Sequence, residues 1–321
     1  MKIALVGGLG YLGASMAEMM AAEGWDVIVV ARRSSLRVAA RRSIEAHFRR
    51  VGVHIAYVDS ISVDTLRSIA PDSFVHVAGK ISGSYRVQRE AHVELLERVV
   101  NAASEIGARV VYISSILAYG RVKHLGRGSV ALEEDEHLAG ERLHRSNHSR
   151  TKAEGERILV SRGGELGGRW AILRPGLLLG RWAYHFEWRY AALLSKARVY
   201  PSIKAPANAV YTGDVARAAI MGCEGRLDGM WVHVVNPGDY TVGDVYSALC
   251  RSLSGGKCLG LPVYAPWGIL SSILPPSLSL SAVSEALSLG YRFSTRILVG
   301  FSWTPLEDAV LEMAEWLKKG S

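Results

Sequence analysis

Cysteine is scarce in this 321-residue chain: three residues, Cys223, Cys250 and Cys258, none in a C-x-x-C pair. An odd, sparse count fits a reducing compartment and argues against a disulfide scaffold or a zinc site, so no metal is expected. Internal repeats and low-complexity linkers are absent. Acidic residues are in deficit, 30 against 38 Lys and Arg, which leaves a net charge of +8. Such a surface attracts nucleic acid, anionic lipid or phosphorylated small molecules. Zinc-finger spacings and aromatic–basic single-strand motifs are missing, which argues against nucleic acid. Charge of either sign vanishes from Cys258 to Ser284. That stretch is long enough for a membrane span, but Pro262, Pro266, Pro275 and Pro276 interrupt it, and proline removes donors that lipid cannot replace. A buried or pocket-lining segment is the expectation, with shallow docking on a membrane surface as the weaker alternative. The start, MKIALVGGLG, runs directly into a strand and a glycine turn. A signal peptide is therefore not expected, and a cytoplasmic location is.

What is present is an ordinary globular composition, 49% hydrophobic and 21% charged. Short apolar runs (KIALV, DVIVVA, VHIAYV, FVHVA, RVVYIS, WAILR and, later, MWVHVVN) alternate with helical patterns. Continuous apolar strands between helices predict an α/β fold of the Rossmann type, a doubly wound parallel sheet covered on both faces. A smaller C-terminal lobe is expected beside it. Residues 1–172, joined by 208–236, would form the dinucleotide-binding domain, and 173–207 with 237–321 the substrate lobe.

VGGLGYLG places Gly7, Gly10 and Gly13 directly after the first strand, with Tyr11 and Leu12 opening the first helix. In that context the glycines serve a tight turn, close approach to a pyrophosphate, and helix–sheet packing. The helix N-terminus offers free N–H groups to the phosphates. At the end of the second strand an NAD site usually carries an acid, but here stand Ala31, Arg32 and Arg33. Two guanidinium groups suit a ribose 2′-phosphate, so NADP is favoured over NAD.

These motifs, with YVDS, VHVAG, YISSILAYG, LRPGLLLG and NAVYTGDVARA in order behind them, resemble the extended short-chain dehydrogenase/reductase family of NAD(P)-dependent epimerases and dehydratases. The resemblance spans nearly the whole chain. It implies that Asp59 contacts adenine, that Val77, Ala78 and Gly79 border the cofactor, that Pro175 lies beside the nicotinamide, and that Ser115 is the catalytic serine. The family's Y-x-x-x-K motif falls on His148 and Lys152, so histidine replaces the tyrosine, and His92 stands where the family often has asparagine. The resemblance also implies a homodimer through helices near 86–106 and 148–161. NAVYTGDVARA and SRTKAEGE are also similar to the family's atypical branch, which includes dehydrogenase-like subunits of respiratory complex I that keep the nucleotide without turnover. Two functions are therefore carried forward. One is an NADP-dependent oxidoreductase or epimerase/dehydratase using Ser115, His148 and Lys152. The other is a non-catalytic NADP(H)-binding structural or regulatory protein.

Imidazole can serve as the acid–base group, and a Lys152 ammonium beside it favours the neutral ring. It is shorter than a phenol, so a substrate must sit deeper or a water must bridge. The stretch from Arg121 to Asn147 carries His124, His137, His144 and the acids from Glu133 to Glu136. Without metal-ligand spacing it reads as a charged lid. Where sugar-nucleotide enzymes of the family often have an arginine, this chain has Ala207. Trp182, Tyr184, Phe186, Trp188, Tyr190, Tyr264 and Trp267 suggest an apolar small-molecule substrate, while Arg181 and Arg189 leave room for an anionic one.

Overall fold

Seven strands pair throughout in parallel: β1 (Lys2–Val6), β2 (Asp26–Arg32), β3 (His54–Val58), β4 (Ser73–His76), β5 (Arg109–Ile113), β6 (Trp170–Pro175) and β7 (Met230–Val234). Their order across the sheet is β7-β6-β5-β4-β1-β2-β3. The computed structural model describes residues 1–122, 125, 128–133 and 143–320. Alternation along β1 shows why the sheet is covered twice. Ile3 and Leu5 enter one core cluster, and Ala4 and Val6 enter the cluster on the opposite face. The expected doubly wound α/β sheet is therefore present. Strand order reverses between β1 and β4, which opens a crevice at their carboxyl ends.

Helix α1 (Tyr11–Ala22) packs against the helix Thr212–Cys223 on one face, and helix Leu95–Ile106 lies over β4 and β5 on the other. Helix α2 (Asn147–Ser161) joins that second face at very close range. A Cβ on its Gly155 would lie 2.5 Å from Tyr112 Oη and 2.7 Å from His92 O. Absence of a side chain there lets α2 press directly on β5.

The sequence beyond β6 builds helices Phe186–Lys196, Val242–Ser254 and Leu306–Gly320, which pack together beside the sheet. One expectation is corrected here, and another is narrowed to one of its two alternatives. The sparse cysteine count, which argues against a disulfide scaffold and for a reducing compartment, still leaves one disulfide: Cys250 pairs with Cys258, and Cys223 is free and buried. The helix carrying Cys250 ends at Gly255, whose φ of +68° turns the chain back, and this local reversal brings together a pair that no C-x-x-C pattern announces. The uncharged segment contains helix Trp267–Ile273 and α3 (Ser279–Leu289). It does line a pocket, but it is not buried: Leu259, Leu261, Tyr264, Ile269, Ile273 and Leu280 are exposed. Among the described residues no helix is long and apolar enough to cross a membrane.

Gly155→Ala should force α2 away from β5 and lower stability by about 2 kcal/mol. Thermal or urea unfolding of the variant checks this, and an unchanged midpoint would show that the contact can relax.

Candidate functional site

The crevice begins at Gly7, whose φ of +95° suits glycine. A Cβ there would meet the Cα of Ala78 at 2.5 Å, so the β1 turn and the end of β4 meet at backbone distance. Gly10 then opens α1. No side chain caps that helix and no acid stands in its first turn. Tyr11, Leu12 and Gly13 fill the turn and are buried. Tyr11 Oη donates to Gly180 O at 3.2 Å, tying the turn to the loop after β6. An uncapped, acid-free N-terminus beside an open glycine fits an anionic diphosphate.

Arg32 ends β2, half exposed, with Nη1 3.4 Å from Glu90 Oε1. Arg33 lays its guanidinium over the Tyr57 ring at 5.3 Å, also exposed. Asp59 is exposed one residue beyond β3. Val77 and Ala78 follow β4 half-buried, Gly79 is exposed, and Pro175 closes β6 in a buried position.

The N-terminus of α2 is held from a distant element. Ser146 caps it, accepting from Ser149 N at 3.1 Å. The buried Glu285 carboxylate of α3 accepts from Arg145 N at 2.8 Å, Ser146 N at 3.0 Å and Ser146 Oγ at 2.6 Å. A carboxylate at a helix N-terminus is stabilised by the aligned peptide dipoles. His148, Lys152 and Glu156 then follow at four-residue spacing, and all three are buried.

Lys152 Nζ donates to Ile113 O at 2.6 Å and sits 4.9 Å above the Tyr112 ring. Burial lowers its pKa to about 7, against the opposing pull of Glu156. Glu156 is itself engaged by Arg174: Nε donates to Oε1 at 2.9 Å and a second guanidinium nitrogen to Oε2 at 2.5 Å. Ser114 Oγ donates to the same carboxylate at 2.5 Å.

His148 Nδ1 lies 3.1 Å from Lys80 O, so the proton of the neutral ring belongs on Nδ1. Nε2 is left as the acceptor and has no protein partner among the described residues. Burial, then the Lys152 charge, lowers the ring's pKa to about 4. His92 stacks edge-on to it at 5.4 Å. His92 lies in a π-helical turn, Glu90–Glu94, a distortion frequent at functional sites. Its Nε2 accepts from Lys80 N at 3.0 Å, and its Nδ1 is 2.7 Å from Thr151 Oγ1, which donates onward to Asn147 O. Both ring nitrogens are thereby occupied, and burial holds the ring well below the usual imidazole range. Ser115 caps a short helix, accepting from Leu117 N at 3.2 Å, and its O–H has no acceptor among the described residues.

The structure thus brings His92, His148 and Lys152 together around Gly79 and Lys80. It adds residues that sequence reasoning missed: Glu156, Arg174, Glu285 and His76. The first lay in view, since Glu156 continues the spacing of His148 and Lys152. His76 is fully buried at the end of β4, its ring 5.5 Å from Tyr112, and burial lowers it to about 3. Of the expected charged lid, His124, His137, Glu134, Asp135 and Glu136 lie outside the described residues. Glu133 is buried and accepts from His233 N at 3.2 Å. The aromatic residues divide. Trp182 and Trp188 are core, Phe186 and Tyr190 are exposed, and Tyr264 and Trp267 line a pocket. Arg181 pairs with Glu18 at 2.9 Å.

The family model described as the NAD dependent epimerase/dehydratase family matches residues 3–224. No curated protein sequence matches. Solved structures align over almost the full chain. gox2253 has TM-score 0.76 at 17% identity, covering 99% of this chain and 98% of the other. UDP-glucuronic acid 4-epimerase from Bacillus cereus, solved with NAD, has TM-score 0.71 at 13% identity, with 99% of each chain covered. UDP-N-acetylglucosamine 4-epimerase from the same organism has TM-score 0.70 at 17% identity, again over 99% of each chain.

Unfolded histidine titrates near 6.5 and folded His148 near 4. Between those values the unfolded chain binds more protons, so stability rises with pH across the window and this contribution is complete above about 6.5. His148→Gln should flatten the rise by up to about 1.4 kcal/mol per pH unit. Urea unfolding of both proteins across the window measures it, and parallel profiles would refute a buried neutral ring.

Proposed function

Because the chain belongs to the NAD-dependent epimerase/dehydratase family, we propose that it is an NADP-dependent oxidoreductase or epimerase/dehydratase in which His148 replaces the family's tyrosine. The carrying observation is the unbonded Nε2 of a buried, neutral His148, one helical turn from a buried Lys152 whose Nζ would lie 3.6 Å from a Cβ on Gly79.

In this reading the diphosphate rests on the free N–H groups of Tyr11, Leu12 and Gly13, with Gly7 and Gly10 giving it room to approach the backbone. Asp59 meets the adenosine, and Val77, Ala78, Gly79 and Pro175 line the nicotinamide end. Arg32 and Arg33 receive the 2′-phosphate. The structural relatives crystallised with NAD leave that preference to be measured. Once bound, the dinucleotide would supply or accept a hydride. The protein's own part is proton handling. Nε2 of His148 accepts the proton of a substrate hydroxyl. A ring titrating near 4 is almost wholly neutral at pH 7, which favours the base role over donation. Lys152, titrating near 7, is the group able to hold or return a proton there. Ser115 donates its free O–H to the same substrate oxygen. The lobe formed by 173–207 and 237–321 holds the rest of the substrate. A homodimer through the helices at 85–106 and 147–161 belongs to the same proposal, and its solution mass decides it.

The occupation of both His92 ring nitrogens favours the second reading, a nucleotide held without turnover. NADPH binding, followed by its fluorescence, together with its oxidation against a panel of ketones and sugars separates the two. His148→Ala should lower turnover by about 100-fold or more while NADPH affinity is kept. NADPH that binds and is never consumed would leave only the second reading. Arg32→Ala combined with Arg33→Ala should weaken NADPH about tenfold and leave NADH unchanged. Equal losses for both coenzymes would remove the 2′-phosphate assignment.

A further inference from the structure

A cavity of about 570 Å³ opens between the loop after strand Val199–Ser202 and the segment that follows strand Leu259–Pro262. This is the size of an ordinary small-molecule site. Ile203, Val263, Tyr264, Trp267 and Leu287 give it an apolar wall. Lys204 is the one charged side chain among its lining residues. The neighbouring chain adds no charge, since nothing from Cys258 to Ser284 is ionised at neutral pH. The elements that form the wall also expose Leu259, Leu261, Ile269 and Ile273 to solvent. A nucleoside diphosphate carries at least two negative charges and a base that must be hydrogen-bonded. One exposed ammonium on an apolar wall does not match it. It does match a hydrocarbon chain that ends in one negative group.

We propose that this cavity binds an amphiphile with an alkyl or isoprenoid chain and a single anionic head, the head on Lys204 and the chain along Val263, Trp267 and Leu287. Its role as the substrate's remote anchor rests on the enzymatic reading above. The connection to that site is α3. Leu287 lines the cavity, while Glu285, two residues earlier and so on the opposite side of the helix, caps α2 just ahead of His148. Pro276 and Ser277, in the same segment, accept hydrogen bonds from Asn147 N and Gly83 N at 3.0 and 2.7 Å. An occupant of the cavity therefore touches the helix that orients the catalytic end, where remote binding energy can be used.

The test is calorimetric titration of the whole protein with monomeric dodecanoate, dodecanol and UMP, with NADPH titrated in parallel. Saturable 1:1 binding of dodecanoate, about tenfold tighter than dodecanol, is expected, with none for UMP. Lys204→Glu should abolish the preference for the carboxylate and Lys204→Arg should keep it. Lys204 is exposed, so folding is not at risk, and circular dichroism confirms it. UMP binding, absence of dodecanoate binding, or an unaffected Lys204→Glu variant overturns the proposal. Dodecanoate binding without NADPH binding would instead overturn the nucleotide reading and leave the amphiphile site standing.

Discussion

A buried ion pair, Glu156 with Arg174, holds the site in place. Both side chains are almost completely removed from water, and the guanidinium meets the carboxylate through two nitrogens. Removing two charges from water costs several kcal/mol each, so the pair persists only with good geometry and satisfied lone pairs. Ser114 supplies one further bond from the end of β5. The pair joins the middle of α2 to β6. With Gly155 admitting the helix to Tyr112, it leaves α2 little room to slide. His148 and Lys152 are therefore presented from a rigid element, the requirement for a group that must meet a reacting atom within a fraction of an ångström.

Burial at the same seam shifts the titration of Lys152 and of the histidines beside it. Lys152 has a carbonyl, an aromatic face and a carboxylate one turn away, but little water. Its ammonium form is therefore weakened. The histidines around it are driven the same way, chiefly by burial and then by its charge. A phenol in place of His148 would titrate from above neutrality. The imidazole titrates from below it, near 4, and is neutral at pH 7. If His148 holds the place of the family's tyrosine, as proposed, the exchange would change the direction in which proton transfer is easy, as well as the reach of the side chain.

Pro276, Ser277 and Glu285, late in the chain, meet Gly83 and the start of α2 through backbone contacts and one carboxylate. Glu285 lies 139 residues from Ser146 in sequence yet closes the first turn of α2. The uncharged segment around it stays apolar on its outer side as well as its inner side. Ordinary core formation accounts for the buried Ala282 and Leu289 of α3, but not for Leu259, Ile269 and Ile273 in solvent.

The parallel sheet, the glycine turn and the His148–Lys152 spacing were legible from residues alone. Each rests on a short-range rule: apolar periodicity, the backbone freedom of glycine, and the rise of a helix. Arg32 and Arg33 were legible as the pair at and just beyond the end of β2, though not the Tyr57 ring beneath one of them. Glu156, Arg174 and Glu285 were not read as part of the site, because a charged residue discloses its burial only when its partner arrives from another element. The same holds for the exposed apolar segment. Its composition is that of a core, and only the packing of its neighbours decided which face met water. Cys250 and Cys258 paired because a glycine-capped helix end reversed the chain, a local event that cysteine counting cannot register. Local chemistry was written in the order of residues, whereas desolvation, and every titration shift that follows from it, is a property of the assembled interior.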